Sequence, residues 1–226
     1  MNRPPRAKKS LARSTRTRKA KARFLIVCEG LVTEIEYLGG LKRLLKSRPV
    51  EVVDMGIGRD PRSLVNRAIQ ERDKAEKYAQ RENDENRRFD DTWVLLDVDE
   101  HSNLSEALRI ADRGGINIAL SNPCLELWLL YHYCDYTTTV HRQVLCTEKL
   151  PKYISGYKKH LPADFPFEAH PEAKKRAIRA AKGHDSPRIE HRNPSTDVWK
   201  LVEAIEKAGQ TGPASGGSAS GKGRRA

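Results

Sequence analysis

Two aspartates with one residue between them, Asp97 and Asp99, directly follow an unbroken apolar run over residues 93–96. An apolar run of this kind, bounded by polar residues, is typical of a strand buried on both faces. The two carboxylates then emerge at its carboxyl end, the edge at which open α/β sheets bind ligands. Oxygen donors at this spacing suit a hard divalent cation. A solvated acidic loop explains the same pattern, so the rest of the chain has to separate the two interpretations.

A further acidic side chain follows another apolar run in the same way. Residues 24–28 are continuously apolar, and Glu29 and Gly30 come directly after them. Glycine permits a tight turn and a close approach of the backbone, which leaves the Glu29 carboxylate over the end of the strand. Thr33 and Glu36 have the spacing of a capping box, which predicts that a helix begins here.

Strand-like and helix-like segments alternate along the chain. This order predicts an α/β fold, with a mostly parallel sheet of about four strands, helices on both faces and a C-terminal helical extension. The predicted strands cover residues 24–28, 50–55, 93–96 and 116–120. The predicted helices run from Thr33 to near Ser47, from Pro61 after an Asp60 cap, from Asn103 or Ser105 to Gly114, and over residues 124–133, 171–182 and 197–208. Right-handed crossovers place the carboxyl ends of the parallel strands at one edge. We therefore expect Glu29, Asp97 and Asp99 to converge there.

Glu126 is the sole charged residue in the apolar helix predicted over residues 124–133. A lone carboxylate among leucines and a tryptophan is costly to bury unless it is paired or bound. It also lies within one turn of the carboxyl end of the fourth strand, which makes it a further candidate ligand. The alternatives are that Glu126 points to solvent or pairs with an arginine.

The basicity of the chain lies in its two ends. The formal net charge is +12, but residues 1–23 carry ten Lys or Arg and no acid, and residues 209–226 carry three more. The remainder is close to neutral, which argues against a basic domain face that grips nucleic acid. We expect a disordered basic arm over residues 1–22, one domain over residues 23–208 and a flexible tail over residues 209–226. The arm is interpreted either as a phosphate-contacting arm or as a solubilising tail.

The remaining composition narrows the compartment and the class of protein. Four scattered cysteines without a Cys-x-x-Cys pair do not make a zinc pattern, and they favour a reduced, cytoplasmic compartment. No stretch approaches the roughly 18 apolar residues of a membrane span, and the basic N-terminus lacks the apolar segment of a signal peptide. The lysines and tyrosines over residues 149–159 fit contacts to a nucleic-acid backbone with stacking on bases, or else a lid or a packed loop.

Four separated blocks of this sequence resemble the RloB-like family, which is associated with restriction-modification and phage-abortive-infection loci. The blocks cover residues 24–34, 96–101, 121–130 and 193–198, in the family's order. The resemblance extends over residues 23–208. It implies a Toprim-like fold, the domain found in topoisomerases, primases and OLD-family nucleases.

The resemblance also implies a set of metal-binding residues. Glu29 matches the Toprim glutamate after strand one, expected to act as general acid/base or metal ligand, and Asp97 and Asp99 match the Asp-x-Asp that holds magnesium. Glu34 and Glu126 are similar to the further glutamates of OLD-type nucleases. The cofactor implied is Mg²⁺ or Mn²⁺.

The leading hypothesis from the sequence is a metal-dependent nuclease acting on DNA or RNA, with Glu29, Asp97 and Asp99 as its catalytic residues. Bare carboxylates repel a negatively charged phosphodiester, whereas carboxylates that hold a metal attract it. The alternative is a non-catalytic adaptor that binds an AAA-type ATPase of the same defence system. Nucleotide-sugar transferases also use Asp-x-Asp with Mn²⁺, but the Glu29-Gly30 pair at the strand end argues against that class.

Overall fold

The computed structural model describes residues 22–30, 32–45, 50–54, 60–98, 104–182 and 192–210. Nearly all of the predicted basic arm and tail, and also Ser47 and Asp99, lie outside the described residues. For residues 50–54 only the backbone is described.

A five-stranded sheet forms the centre of the fold. Its strands are β1 (Phe24–Cys28), β2 (Val50–Asp54), β3 (Asp91–Asp97), β4 (Asn117–Asn122) and β5 (Ser195–Thr196). They lie in the order β2-β1-β3-β4-β5, with β1 to β4 parallel and β5 antiparallel to β4. The prediction of a mostly parallel α/β sheet is confirmed. The fifth strand was not predicted, because a two-residue strand has no periodicity and is defined only by its partner.

Seven helices accompany the sheet in the described residues. They are α1 (Thr33–Leu44), α2 (Pro61–Glu82), α3 (Leu104–Gly114), α4 (Glu126–Tyr131), α5 (Arg142–Val144), α6 (His170–Lys182) and α7 (Val198–Gln210). Asp60 occupies the N-cap position of α2 and Pro61 is its first residue, as predicted, but the Asp60 side chain makes no capping hydrogen bond. α5 continues into a π-helical turn over residues 145–149 and a 3-10 turn over residues 150–152. None of the helices in the described residues combines the length and the apolar character that a membrane crossing needs.

Both faces of the sheet are covered by helices because its strands are apolar on both sides. Phe24 and Ile26 of β1 belong to a core with α1, α4, α6 and α7. Leu25 and Val27 belong to a second core with α2 and α3. Every residue of β1 is therefore buried, which explains why its sequence is an unbroken apolar run rather than an alternating one.

The capping box predicted at Thr33 and Glu36 is wrong. Val32 occupies the cap position, Thr33 is already helical, and no side chain caps α1. Thr33 Oγ1 instead donates a hydrogen bond to the carbonyl of Lys159 at 2.6 Å, and Glu36 Oε2 accepts the backbone N–H of Leu161 at 2.6 Å. The local spacing rule fails because partners from a distant part of the chain compete for both side chains.

Candidate functional site

A pocket of about 210 Å³ lies at the carboxyl edge of β1 and β3. Three acidic side chains, Glu29, Glu34 and Asp97, line it together with Arg142 and Lys159. Apolar side chains supply much of the remaining wall, among them Leu95, Leu96, Ala119, Leu125 and Val198. Charged groups that converge between apolar walls at this edge are typical of ligand sites in α/β folds.

Two of the acids reach the pocket because β1 and β3 are adjacent parallel strands. Glu29 comes directly after β1, and Asp97 is the last residue of β3. Asp97 Oδ1 accepts the backbone N–H of Leu125 at 3.0 Å, and its Oδ2 lies 3.7 Å from Nη2 of Arg142. The Asp97 carboxylate is therefore held in place by the backbone at the start of the α4 region and is partly balanced by a cation.

Glu34 enters the pocket from the first turn of α1. Its carboxylate lies directly against the backbone at Gly30, where a single added methyl group would overlap with it. Burial raises the pKa of Glu34, and the negative charge of Glu126 adds to this shift. Glu34 therefore keeps its proton to a higher pH than an exposed glutamate does.

Glu126 does not line the pocket but is joined to it through Lys159. The Glu126 side chain is 1% exposed, and its Oε1 accepts hydrogen bonds from Lys159 Nζ at 2.5 Å and from the Tyr157 hydroxyl at 3.1 Å. Burial alone would raise the pKa of Glu126, but the attraction of the Lys159 ammonium and its hydrogen bond lower it below the ordinary value. Glu126 is thus a buried anion paired with a basic side chain. The partner is Lys159, whereas the sequence alternative was an arginine.

The segment of residues 157–161 packs against α1 and closes one side of the site. The Tyr157 hydroxyl lies 3.2 Å from Thr33 Oγ1, and His160 Nδ1 lies 2.8 Å from Glu36 Oε1. These bonds hold the Lys159 side chain next to Glu126. The packing agrees with the interpretation of this segment as a lid or a packed loop, and contact with nucleic acid stays a prediction.

Two cysteines lie next to Glu126. The thiol sulfurs of Cys124 and Cys146 and a carboxylate oxygen of Glu126 are all within 4.8 Å of one another. The hydrogen bond between the two thiols, together with burial, raises the pKa of Cys124 well above its ordinary value, and the same bond lowers the pKa of Cys146. The sequence revealed no zinc pattern because these cysteines are far apart in the chain, and only the fold of residues 142–152 brings Cys146 to Cys124.

The predicted site residues are therefore distributed over two neighbouring places. Glu29, Glu34 and Asp97 surround one pocket, Glu126 lies beside it, and Asp99 is outside the described residues. Sequence reasoning missed two basic residues of the pocket, Arg142 and Lys159. Arg142 belongs to no motif. Lys159 ends the lysine- and tyrosine-rich run over residues 149–159, and nothing in the local sequence indicates that this run meets the acids.

Fold and pocket together define an α/β domain with a charged pocket at the carboxyl edge of its sheet. The family model described as RloB-like protein matches residues 24–205. The chain therefore belongs to the RloB-like family, as the four sequence blocks predicted. Searches of curated proteins and of solved structures found no match.

Proposed function

We propose that this domain is a metal-dependent phosphodiesterase of the nuclease type, acting on DNA or RNA in phage defence. The observation that carries the proposal is the composition of the pocket, which three acidic residues line together with Arg142 and Lys159. Carboxylates alone would repel a phosphodiester. Carboxylates that hold a cation, next to two basic side chains, suit a phosphate group.

Glu29, Glu34 and Asp97 all offer carboxylate oxygens, the donors that a hard divalent cation prefers. In the described part of the chain their oxygens do not all lie within 4.8 Å of one another, so a shared ion would draw these side chains closer together. Asp99, two residues beyond the end of β3, is proposed as a further ligand. Mg²⁺ or Mn²⁺ bound by these residues would supply positive charge that stabilises the attacking and leaving oxygens of the phosphodiester.

The basic residues of the chain have separate tasks in this proposal. Arg142 offers a planar fork of N–H donors for two phosphate oxygens, and Lys159 offers a point charge. Asp97 and Glu126 are their partners in the structure described here. Binding of substrate therefore requires Arg142 to exchange a contact with Asp97 for a contact with phosphate.

The strand order and the positions of the acids also support a Toprim-like core for the domain. A glutamate after the first strand and an aspartate at the end of the third lie at the ends of adjacent parallel strands.

We place the activity in the cytoplasm, because none of the four cysteines of the chain is disulfide-bonded in the structure.

Cleavage of plasmid DNA and of a structured RNA in the presence of Mn²⁺ tests the proposal. The informative variant is Asp97→Asn, since asparagine keeps an acceptor for the Leu125 N–H but removes the charge. Activity should fall at least about 100-fold, because changes to outer-shell groups alone cost 10–100-fold. Asp73→Asn, at a half-exposed position on α2, is the matched control and should cleave like the wild type. Equal cleavage by wild type and Asp97→Asn would end the assignment.

A second candidate function is the non-catalytic adaptor that binds an AAA-type ATPase. The observation that favours it is that Asp97 and Glu126 both contact cations of the same chain, Arg142 and Lys159. Carboxylates satisfied in this way can serve structure alone. Calorimetric titration with Mg²⁺ and Mn²⁺ separates the two functions, since an adaptor of this kind needs no metal and the nuclease does.

A further inference from the structure

A cluster of two thiols and one carboxylate lies beside the pocket and has no task in the proposed reaction. Ligand atoms of Cys124, Glu126 and Cys146 are all within 4.8 Å of one another. Cys124 and Glu126 are almost completely buried, and Cys146 is half-buried. None of the three lines the pocket.

Three different local structures present these side chains to one another. Cys124 lies in the turn after β4, and Glu126 is the first residue of α4, so the two come from one short stretch. Cys146 lies in the π-helical turn over residues 145–149. Single π-helical turns occur frequently at functional sites. Here the turn carries the one ligand that comes from elsewhere in the chain.

The donor set has the chemistry of a zinc site. Thiolates select borderline-soft cations such as Zn²⁺, whereas Mg²⁺ prefers oxygen ligands only. Three protein ligands with a fourth position open to water is a common zinc arrangement. Ligand atoms around a tetrahedral Zn²⁺ stand about 3.4–3.8 Å apart, so a cluster whose atoms lie within 4.8 Å of one another contracts by at most about 1.4 Å to bind the ion.

We propose that Cys124, Glu126 and Cys146 bind one Zn²⁺-like cation at a site separate from the carboxylate pocket. Tyr157 and Lys159 both bond to Oε1 of Glu126, so an ion bound through Oε2 would displace neither. The two donors then orient the ligating carboxylate, as second-shell groups do in metal sites.

Charge and chain connectivity indicate what a bound ion would do beside the pocket. Two thiolates and a carboxylate around a dication leave a net negative charge, which the Lys159 ammonium offsets. Arg142 lies one helical turn before Cys146 on the same helical segment. An ion that joins Cys146 to Cys124 therefore fixes that segment against β4 and α4, and with it the position of Arg142 beside Asp97.

Titration of reduced, chelator-treated full-length protein with Co²⁺ tests the site, because cobalt in a thiolate site gives charge-transfer absorption that an oxygen site does not. The wild type should bind one Co²⁺ with this band, Zn²⁺ should displace it, and excess Mg²⁺ should not. Cys146→Ser should weaken binding by about 100-fold or more, since loss of a ligand exceeds the 10–100-fold cost of outer-shell changes. Cys134→Ser, also half-buried but outside the cluster, should bind like the wild type.

A reduced wild-type protein without the charge-transfer band overturns the site, as does equal weakening in Cys134→Ser and Cys146→Ser. If the reduced protein shows no band and the oxidised protein contains a Cys124–Cys146 disulfide, the pair is a redox pair and not a metal site. Asp97→Asn keeps all three ligands. It should retain the cobalt band even where cleavage is lost. The cobalt titration therefore tests the zinc site, and the cleavage assay tests the nuclease proposal.

Discussion

The ion pair between Lys159 and Glu126 offers a quantitative test of how the site is built. Lys159→Met removes the ammonium and keeps most of the aliphatic length of the side chain. Glu126 then loses the cation that lies 2.5 Å from its Oε1, while its side chain stays only 1% exposed. The free energy of unfolding of this variant therefore measures the cost of a buried carboxylate that has lost its ion-pair partner.

The expected cost lies between that of a buried and that of an exposed pair. Removing one partner of a fully buried pair costs about 3–5 kcal/mol, whereas exposed pairs contribute about 0–1 kcal/mol. The Lys159 side chain is 48% exposed and Tyr157 still donates to Glu126, so we expect the free energy of unfolding to fall by about 1–3 kcal/mol. Lys175→Met is the matched control. Its partner Glu172 is 56% exposed, and the loss of stability should be much smaller than in Lys159→Met because solvent screens an exposed pair.

The pH dependence of this difference has a predictable sign. In the wild type the folded pKa of Glu126 is lowered, so its contribution to stability is present above the ordinary glutamate pKa and is lost as the pH falls. In Lys159→Met the two largest effects that oppose burial, the Lys159 charge and its hydrogen bond, are lost, so the pKa of Glu126 should be raised. The penalty in the variant should then disappear as the pH falls and Glu126 takes up a proton.

Urea unfolding of wild type, Lys159→Met and Lys175→Met between about pH 7 and about pH 4 measures both effects. We predict a gap between wild type and Lys159→Met that narrows as the pH is lowered. A gap that widens towards acid pH, or a variant as stable as the wild type at neutral pH, would refute the assignment of Glu126 as a buried anion held by Lys159.

Glycines near the site give two further predictions. Gly40→Ala should lower the free energy of unfolding by about 1–2 kcal/mol, because its new methyl group overlaps the Phe167 ring, whereas Gly39→Ala on the same helix should be neutral or stabilising by up to about 1 kcal/mol. Thermal unfolding checks both, and equal effects would contradict the packing of α1. Gly30→Ala should displace the Glu34 carboxylate, reducing Mn²⁺-dependent cleavage about 10-fold or more while changing stability by less than about 1 kcal/mol. A variant that cleaves like the wild type would show that Glu34 has no part in the reaction.

Those features of the fold that depend on local pattern could be predicted from the sequence. The apolar runs before Glu29 and Asp97 are strands because each must be buried on both faces, and the acids after them follow from strand direction alone. The start of α2 could be predicted for the same reason, since the residue preferences at the N-cap and first helical positions, here Asp60 and Pro61, depend on the local sequence.

The features that the sequence did not reveal depend on partners far apart in the chain. Thr33 has the spacing of a cap but bonds to the backbone of Lys159, which no local rule anticipates. Arg142 and Cys146 lie on a segment that changes from α-helical to π-helical to 3-10 geometry, so it has no 3.6-residue period to recognise. Their neighbours in space come from other elements: Asp97 ends β3, and Cys124 follows β4.

The central claim is that acids from separate strands jointly hold a cation at the carboxyl edge of the sheet. Anomalous diffraction from crystals of the full chain soaked in Mn²⁺ tests this most directly. We predict a manganese peak about 2 Å from carboxylate oxygens of Asp97 and Glu29. A well-ordered pocket in which Asp97 stays paired with Arg142, with no manganese peak beside Glu29, would contradict it.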